Sequence, residues 1–290
     1  MKIESFKPRQ IAVAVFSRLE GGVETGESVA GFCRSEGVSA SVHPLNDPAL
    51  SQALQQGEFD LMIVLGGDGT MLRAGHLCAP LAIPILGVNM GRFGFLTEVE
   101  VSQWQGALQR VLAGNFWLEN RMMLHAVHKR QGETLDQWDV INEVMVGRGA
   151  IVRPVHLRTM VDDAFLTTYV ADGLIVATAT GSTAYAMAVG GPILTPAARN
   201  LLIIPVAPHL SFDRAVVLNE GSVVSIELET SHEASLSVDG QTPVVLLDDD
   251  RVEVSAGEYT VQFVRTQESG FFYRKLMSLM NQNPSVGKKK

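Results

Sequence analysis

The sequence predicts an α/β domain built on a mainly parallel sheet, followed by a β-rich domain. Three observations predict it. In the first third, apolar runs alternate with amphipathic stretches, the pattern of βαβ units. After about residue 121 the helical pattern gives way to short apolar or alternating runs. Residues 271–280 then regain helical spacing. The expected division is residues 1–121 as the α/β domain and 122–266 as the β-rich domain, with 267–290 packing back on the first.

The elements follow in order. Residues 11–16 are a run of apolar residues and read as a strand; 24–36 form a helix that Gly37 ends; 38–42 are the next strand. Residues 61–65 and 83–88 are buried strands with a helix over 71–77 between them, and 103–113 give one more amphipathic helix. Further on, strands are expected at 122–128, 140–146, 155–160, 174–177, 201–206, 223–228, 236–238, 244–247 and 259–264. Asp239-Gly240 between two of these suits a tight hairpin turn. No internal repeat or low-complexity linker interrupts the chain.

Composition narrows the function. The 290 residues are 46% apolar and 19% charged, which fits a compact fold with a sizeable core. A net charge of −8 gives no electrostatic footprint for nucleic acid. The one basic run, Lys288-Lys289-Lys290, reads as a solvated tail. No stretch reaches the ~18 uninterrupted apolar residues of a membrane span. The N-terminus, with Glu4, Pro8 and Arg9, is unlike a signal peptide. Cys33 and Cys78 are too isolated for a zinc site or a disulfide framework, so a cytoplasmic location is expected.

The most informative stretch is Gly66-Gly67-Asp68-Gly69-Thr70, directly after the apolar run Leu61-Met62-Ile63-Val64-Leu65. A buried strand entering a glycine-rich turn and then a helix places free N–H groups where an anion can approach the main chain. Gly66, Gly67, Gly69 and Thr70 are the candidate phosphate loop. Asp68 is a carboxylate inside it, which suggests transfer chemistry or a metal ion; alternatively it caps the helix. Neither a Gly-x-Gly-x-x-Gly run after a strand nor a Gly-Lys-Ser/Thr P-loop is present, so any kinase chemistry must use a different cradle.

Two further constellations stand out. In the segment from Asp172 to Tyr185, a buried strand runs into small hydroxylated residues and a helical stretch through Ala188. Ser182, Thr183 and the nearby main chain can bond a polar ligand, and Tyr185 offers a ring. Asn142-Glu143 lies inside an apolar run, where alternation points one of the two inward. Sugar hydroxyls would satisfy a buried carboxylate and amide; a structural hydrogen bond or a bulge is the other reading. His125 and His128 fall on opposite faces of a strand and cannot share a metal, and His209 suits a turn. No nucleophile–base pattern such as Gly-x-Ser-x-Gly occurs.

With these residues in view, the chain resembles the NAD kinase family over most of its length. The resemblance rests on Gly66-Gly67-Asp68-Gly69-Thr70, on Leu86-Gly87-Val88-Asn89-Met90-Gly91-Arg92-Phe93-Gly94-Phe95-Leu96 and on Asn142-Glu143. It continues through Asp172-Gly173, Thr180-Gly181-Ser182-Thr183-Ala184-Tyr185, Gly190-Gly191-Pro192, Pro208-His209 and Asp239-Gly240-Gln241. The first motif is shared with diacylglycerol kinases and loosely with phosphofructokinases; the ordered set is specific.

The resemblance implies a two-domain enzyme that phosphorylates the 2′-hydroxyl of NAD's adenosine ribose, with ATP as donor and a divalent metal, magnesium first among candidates. It implies that Asp68 is the base near that hydroxyl and that Asn142 and Glu143 hold the ribose. Thr183, Ala184 and Tyr185, with Ala186, Met187 and Ala188, resemble the segment lining the adenine. Asp172 matches a residue contacting the dinucleotide, and Gly69, Arg73, Arg153 and Gln241 fall where other contacts are placed. A homodimer or homotetramer, completing the site across a subunit interface, is implied in the same way. Two prolines usual in the family are Ala179 and Ala215 here, and Val170 leaves the choice between NAD and NADH open. A lipid kinase sharing the first motif and a non-catalytic dinucleotide sensor are the alternatives. The acidic balance and the 180–185 loop speak against the first, and retention of Asp68 and Glu143 against the second.

Overall fold

The computed structural model describes residues 6–91, 94–151, 153–230, 232–268 and 270–280, and of residues 279 and 280 the main chain only. Arg92 and Phe93 of the second resemblance motif and the Lys288-Lys289-Lys290 run lie outside them. The chain divides into two compact units, Met1–Asn120 with Gln262–Lys290, and Arg121–Val261.

The first unit runs β1 (Gln10–Val15), α1 (Gly22–Ser35), β2 (Ser39–Pro44), α2 (Pro48–Gln55), β3 (Leu61–Gly66), α3 (Asp68–Cys78), β4 (Ile85–Asn89), β5 (Val99–Glu100) and α4 (Trp104–Leu112). Strand β1 pairs in parallel with both β2 and β3, and β3 pairs in parallel with β4. The order β2-β1-β3-β4 reverses direction between β1 and β3. In such sheets ligands bind beyond the carboxyl ends of the strands at that reversal. Every residue of β3 is buried, as a central parallel strand covered on both faces requires. Ile11, Val13, Leu61, Ile63 and Leu65 pack with Val29 and Cys33 of α1 and Leu108 and Val111 of α4.

Helix α2 is an addition to the sequence reading. Asp47 caps it by accepting a 2.9 Å bond from the Ala49 N–H, and Pro48 occupies its first turn, where a missing N–H costs nothing. Helix α3 starts earlier than predicted. Its first turn is Asp68-Gly69-Thr70, so the supposed loop is the end of a strand, one linking glycine and a helix start.

The second unit holds most of β6 (Trp117–Arg130), then β7 (Glu133–Val140), β8 (Glu143–Arg148), β9 (Val155–Val161), β10 (Ala164–Ala171), β11 (Gly173–Ala177) and α5 (Tyr185–Ala188). It continues with β12 (Asn200–Val206), β13 (Val216–Asn219), β14 (Val224–Leu228), β15 (Ala234–Val238), β16 (Val244–Leu246) and most of β17 (Arg251–Arg265). A six-stranded antiparallel sheet has the order β13-β12-β11-β8-β15-β16. Leu174 and Val176 of β11 enter the main core with Val144, Leu201, Val224 and Val252. Ile175 and Ala177 face the other way, onto Ala186 of α5 with Leu202 and Ile204. Burial on both faces explains why β11 reads as a continuous apolar run.

Strand β17 carries the chain into the first unit, where Phe263 pairs in parallel with Ile85 and α6 (Phe271–Met280) follows. Strands β7, β10 and β13 are additions to the sequence reading; most of their residues are exposed or half-exposed, and β7 is mostly polar. The expected strand over 140–146 is broken. Val140 ends β7, Ile141 and Asn142 form a bend, and Glu143 opens β8.

Candidate active site

In the first unit the site is built at the β3–α3 junction. Thr70 and Met71 are the first donors bonded back within α3, both to the Gly67 carbonyl at 3.0 Å. The N–H groups of Asp68 and Gly69 precede them at the positive end of the helix dipole, which suits a phosphate. Gly67 and Gly69 have open space where a Cβ would stand, so a ligand can approach the main chain there. Gly66 differs: it is buried, and a Cβ on it would meet Thr70 Oγ1 at 2.4 Å. Gly66 therefore leaves the room in which Thr70 is seated.

Asp68 does not cap α3. Its carboxylate instead accepts the Phe95 N–H at 2.7 Å on one oxygen and the Leu96 N–H at 3.0 Å on the other. A Cβ on Gly94 would fall 2.2 Å from the same carboxylate, so Gly94 makes the cradle into which Asp68 fits. Two bonds leave lone pairs free on a group with about four acceptor positions. Five residues on, Arg73 is exposed, with its guanidinium 5.2 Å from the ring centre of Phe16, the residue after β1. Arg73 thus stands at the same strand reversal as Asp68.

In the second unit, three motifs meet at one end of the six-stranded sheet. Glu143 at the start of β8 pairs with Ala177 at the end of β11, and Val144 pairs with Val238 at the end of β15. The loop after β11 is fastened to the Asn142 bend. The Thr178 N–H donates to Asn142 O at 2.9 Å and its hydroxyl to Ile141 O at 2.6 Å. A Cβ on Gly181 would stand 2.1 Å from Asn142 O, so only glycine permits this approach. From the other side, the Asp239 carboxylate accepts the N–H groups of Ile141, Asn142 and Glu143 at 2.8, 2.7 and 3.1 Å. Asp239 and Gly240 both have positive φ, 48° and 68°, the turn expected of Asp-Gly.

Glu143 Oε2 is buried and has no hydrogen-bond partner. Burial first, and then the nearby Asp239 carboxylate, push the Glu143 carboxyl up to about 7, against the Tyr185 N–H that bonds it. An orphaned carboxylate oxygen in a half-buried site calls for a hydroxyl donor. Tyr185 itself is 43% exposed and available as a ring surface. Ser182 is not available to a ligand: its hydroxyl donates to Ala179 O at 2.6 Å and accepts the Leu194 N–H at 2.9 Å. Thr183 donates to Thr180 O at 3.0 Å, keeping its acceptor positions. Ala184, Met187 and Ala188 are partly or fully exposed around this turn, Ala186 is core, and Gln241 is exposed in the hairpin beside Asp239.

Asp172 and Arg153 are not in this group. Asp172 precedes β11, at the opposite end of the strand from Thr178, about 20 Å away at ~3.3 Å per residue. There it lies 3.5 Å from the Arg148 guanidinium, and the exposed Arg153 follows β8 on the same side of the chain's course. The residues that sequence reasoning overlooked are Gly94 and the clamp function of Asp239. The first was a glycine among several; the second was read only as half of a turn.

Among the described residues no group of three or more His, Cys, Asp or Glu side chains could hold a metal ion. Cys33 and Cys78 are buried free thiols; burial pushes both up, Cys33 to about 11, so neither is a nucleophile at neutral pH. Among the described residues no helix is long and apolar enough to cross a membrane.

Comparison with known proteins bears on the family and the fold. Family models described as the ATP-NAD kinase N-terminal domain and the ATP-NAD kinase C-terminal domain match residues 9–116 and 141–266. An NAD kinase of Chloroflexus aggregans is 42% identical over 224 residues, 77% of this chain and 81% of that one. One of Symbiobacterium thermophilum is 39% identical over 258 residues, 86% of this chain and 91% of that one. Among solved structures, yeast NADH kinase complexed with NADH is similar with a TM-score of 0.83 at 24% identity, over 98% of this chain and 91% of that one. An NAD kinase from Archaeoglobus fulgidus in complex with ATP gives 0.73 at 24% identity, over 94% and 99%. At that identity the two structures speak for the fold.

Proposed function

The chain belongs to the ATP-NAD kinase family and is an enzyme that phosphorylates NAD with ATP, and from that premise we propose the residues that carry the reaction. Asn142 and Glu143 hold the adenosine ribose, and Asp68 orients its 2′-hydroxyl and takes the proton. The observation that carries the assignment is Glu143 Oε2, a buried carboxylate oxygen that lacks a donor and that a ribose hydroxyl would satisfy. Thr183, Ala184, Tyr185 and Met187 line the adenine beside it, with Ala188; Gln241 closes the side formed by the 238–241 turn.

Phosphoryl transfer passes through a loose transition state, so position and charge matter more than nucleophile strength. A carboxylate is a far weaker base than a sugar alkoxide. Asp68 therefore accepts the proton late, as the bond to phosphorus forms. The Asp68 and Gly69 N–H groups at the start of α3 take the phosphates of the donor, and the Arg73 guanidinium contacts the dinucleotide. Gly67 and Gly69 admit them; Gly66 and Thr70 shape the turn.

Magnesium enters as part of the MgATP substrate. Mg²⁺ usually binds through one or two carboxylates plus substrate phosphates and water. Bound there, the ion neutralises charge on the phosphate oxygens.

A homodimer or homotetramer accounts for Asp172 and Arg153. One chain keeps them a strand length from Glu143, whereas a second copy can bring its own Asp172 to the bound dinucleotide. A cytoplasmic location suits the two buried free thiols. The test of the reading is incubation with ATP or polyphosphate and with NAD or NADH in magnesium buffer, followed by an NADP-specific dehydrogenase. NADP formation that depends on ATP and is lost in Glu143→Ala supports it. Loss of ATP and NAD binding together would instead make Glu143 a structural residue.

A further inference from the structure

Behind the Asp68 cradle, in the same unit, lies a buried ionic cluster to which no role has been given. Arg265 at the end of β17 is 5% exposed. Its guanidinium donates to Glu119 Oε1 from two nitrogens, at 3.1 and 2.8 Å, and lies 3.8 Å from Glu98 Oε2. Its remaining terminal nitrogen donates to the Leu96 carbonyl at 2.9 Å. The other oxygen of Glu98 accepts the Thr266 N–H, the Thr266 hydroxyl and the Gln267 N–H at 2.7, 2.9 and 3.0 Å, which fixes the chain just after Arg265. Lys275 of α6, also buried, donates to the next carbonyl, that of Thr97.

We infer that Arg265 is a positioning residue for phosphoryl transfer, holding the Leu96 main chain whose N–H in turn holds the Asp68 carboxylate. The inference rests on the catalytic assignment of Asp68. Leu96 is grasped on both sides of its Cα: its N–H by Asp68, its carbonyl by Arg265. The two bonds belong to different peptide groups, so what passes between them is position. Gly94 leaves Asp68 no side chain to rest against, and the carboxylate's place is therefore set by where the 95–96 main chain stands. A buried guanidinium between two carboxylates is a poor stabiliser compared with apolar packing of equal volume, but it permits little movement. Arginine is suited to the task because its rigid, planar fork spans the Glu119 oxygen and the Leu96 carbonyl from separate nitrogens in one fixed geometry, whereas the donors of a lysine all sit on one freely rotating nitrogen.

The test is a double-mutant cycle between Arg265→Lys and Asp68→Asn, following NADP formation at enzyme concentrations high enough to measure the slow variants. Arg265→Lys should lower kcat roughly 10–100-fold, the cost of a small misplacement in a reacting site. KM for NAD and for ATP should stay within about twofold. In the Asp68→Asn background the same substitution should change kcat by less than about twofold, because the group it positions is already gone. An equal loss in both backgrounds would overturn the positioning role while leaving Asp68 catalytic. Wild-type turnover in Asp68→Asn alone would overturn the assignment of Asp68 and this inference with it. Circular dichroism checks that each variant is folded. If Arg265→Lys is not, Glu119→Gln, which loosens the guanidinium without removing it, goes through the same cycle with the same expectations.

Discussion

A Cβ on Gly94 would stand 2.2 Å from the carboxylate of Asp68. The clashing atoms are the carboxylate itself, so the group that must yield is the one the reaction uses. Gly94→Ala should therefore expel Asp68 from its cradle while the rest of the unit folds. We expect kcat to fall by about 10²-fold, in the range of a lost general base, with NAD affinity little changed. Steady-state kinetics together with calorimetric NAD titration check this.

The Glu143 carboxyl gives a pH signature. Its folded-state value is about 7, against an ordinary 4.5. Between those values the folded chain keeps a proton that the unfolded chain has released, so stability falls as pH rises across that window and levels off above it. Binding runs the opposite way. A ribose hydroxyl donates to the ionised carboxylate, so NAD affinity should rise as pH rises through about 7, with proton release on binding. Glu143→Gln should flatten both profiles and raise stability at pH 8 while weakening NAD. Denaturant titrations at several pH values, and calorimetry in buffers of different ionisation enthalpy, report the two arms.

Asp239 holds the Ile141-Asn142-Glu143 bend through three main-chain N–H groups. Removing an ionised acceptor from several donors costs about 2–4 kcal/mol at this degree of burial. Asp239→Ala should lose that much in chemical denaturation and weaken NAD at least tenfold, on the order of one lost hydrogen-bonded contact. It should also lower the Glu143 carboxyl toward its ordinary range, since the neighbouring negative charge that disfavours its ionisation is gone. Asp239→Asn, which keeps one acceptor oxygen, should recover part of the stability.

Asp172 and Glu143 occupy opposite ends of the six-stranded sheet. If a second copy supplies Asp172, an equimolar mixture of inactive Asp172→Ala and Glu143→Ala chains, unfolded and refolded together, should regain activity through hybrid sites. No recovery in a mixture shown to be assembled would place Asp172 outside the reaction.

Much of this was legible in the sequence, for definite reasons. The buried parallel strands β1, β3 and β4 are unbroken apolar runs, and Gly66-Gly67-Asp68-Gly69-Thr70 marks a strand–helix junction by glycine alone. Helix α2 was missed because its eight residues bury only one i, i+4 pair, Leu50 and Leu54, too short a repeat to stand out, although Asp47-Pro48 is a helix start. Strand β7 was missed because five of its residues are exposed and polar or isolated among polar neighbours. In the site, Asp68 was readable but its partners were not. The Phe95 and Leu96 donors are main-chain groups, which residue type does not encode, and only Gly94 hinted at them. Glu143 was readable as a misfit in an apolar run; the bend at Asn142 that frees it needed Asp239, nearly a hundred residues later.

The central claim is that the Asp68 carboxylate receives the proton of the hydroxyl being phosphorylated. Single-turnover NADP formation by Asp68→Asn, with NAD binding measured on the same sample, tests it most directly. We predict a rate about 10²–10⁴-fold below that of the unaltered chain, with NAD bound normally and the fold intact. A rate equal to that of the unaltered chain would contradict the claim.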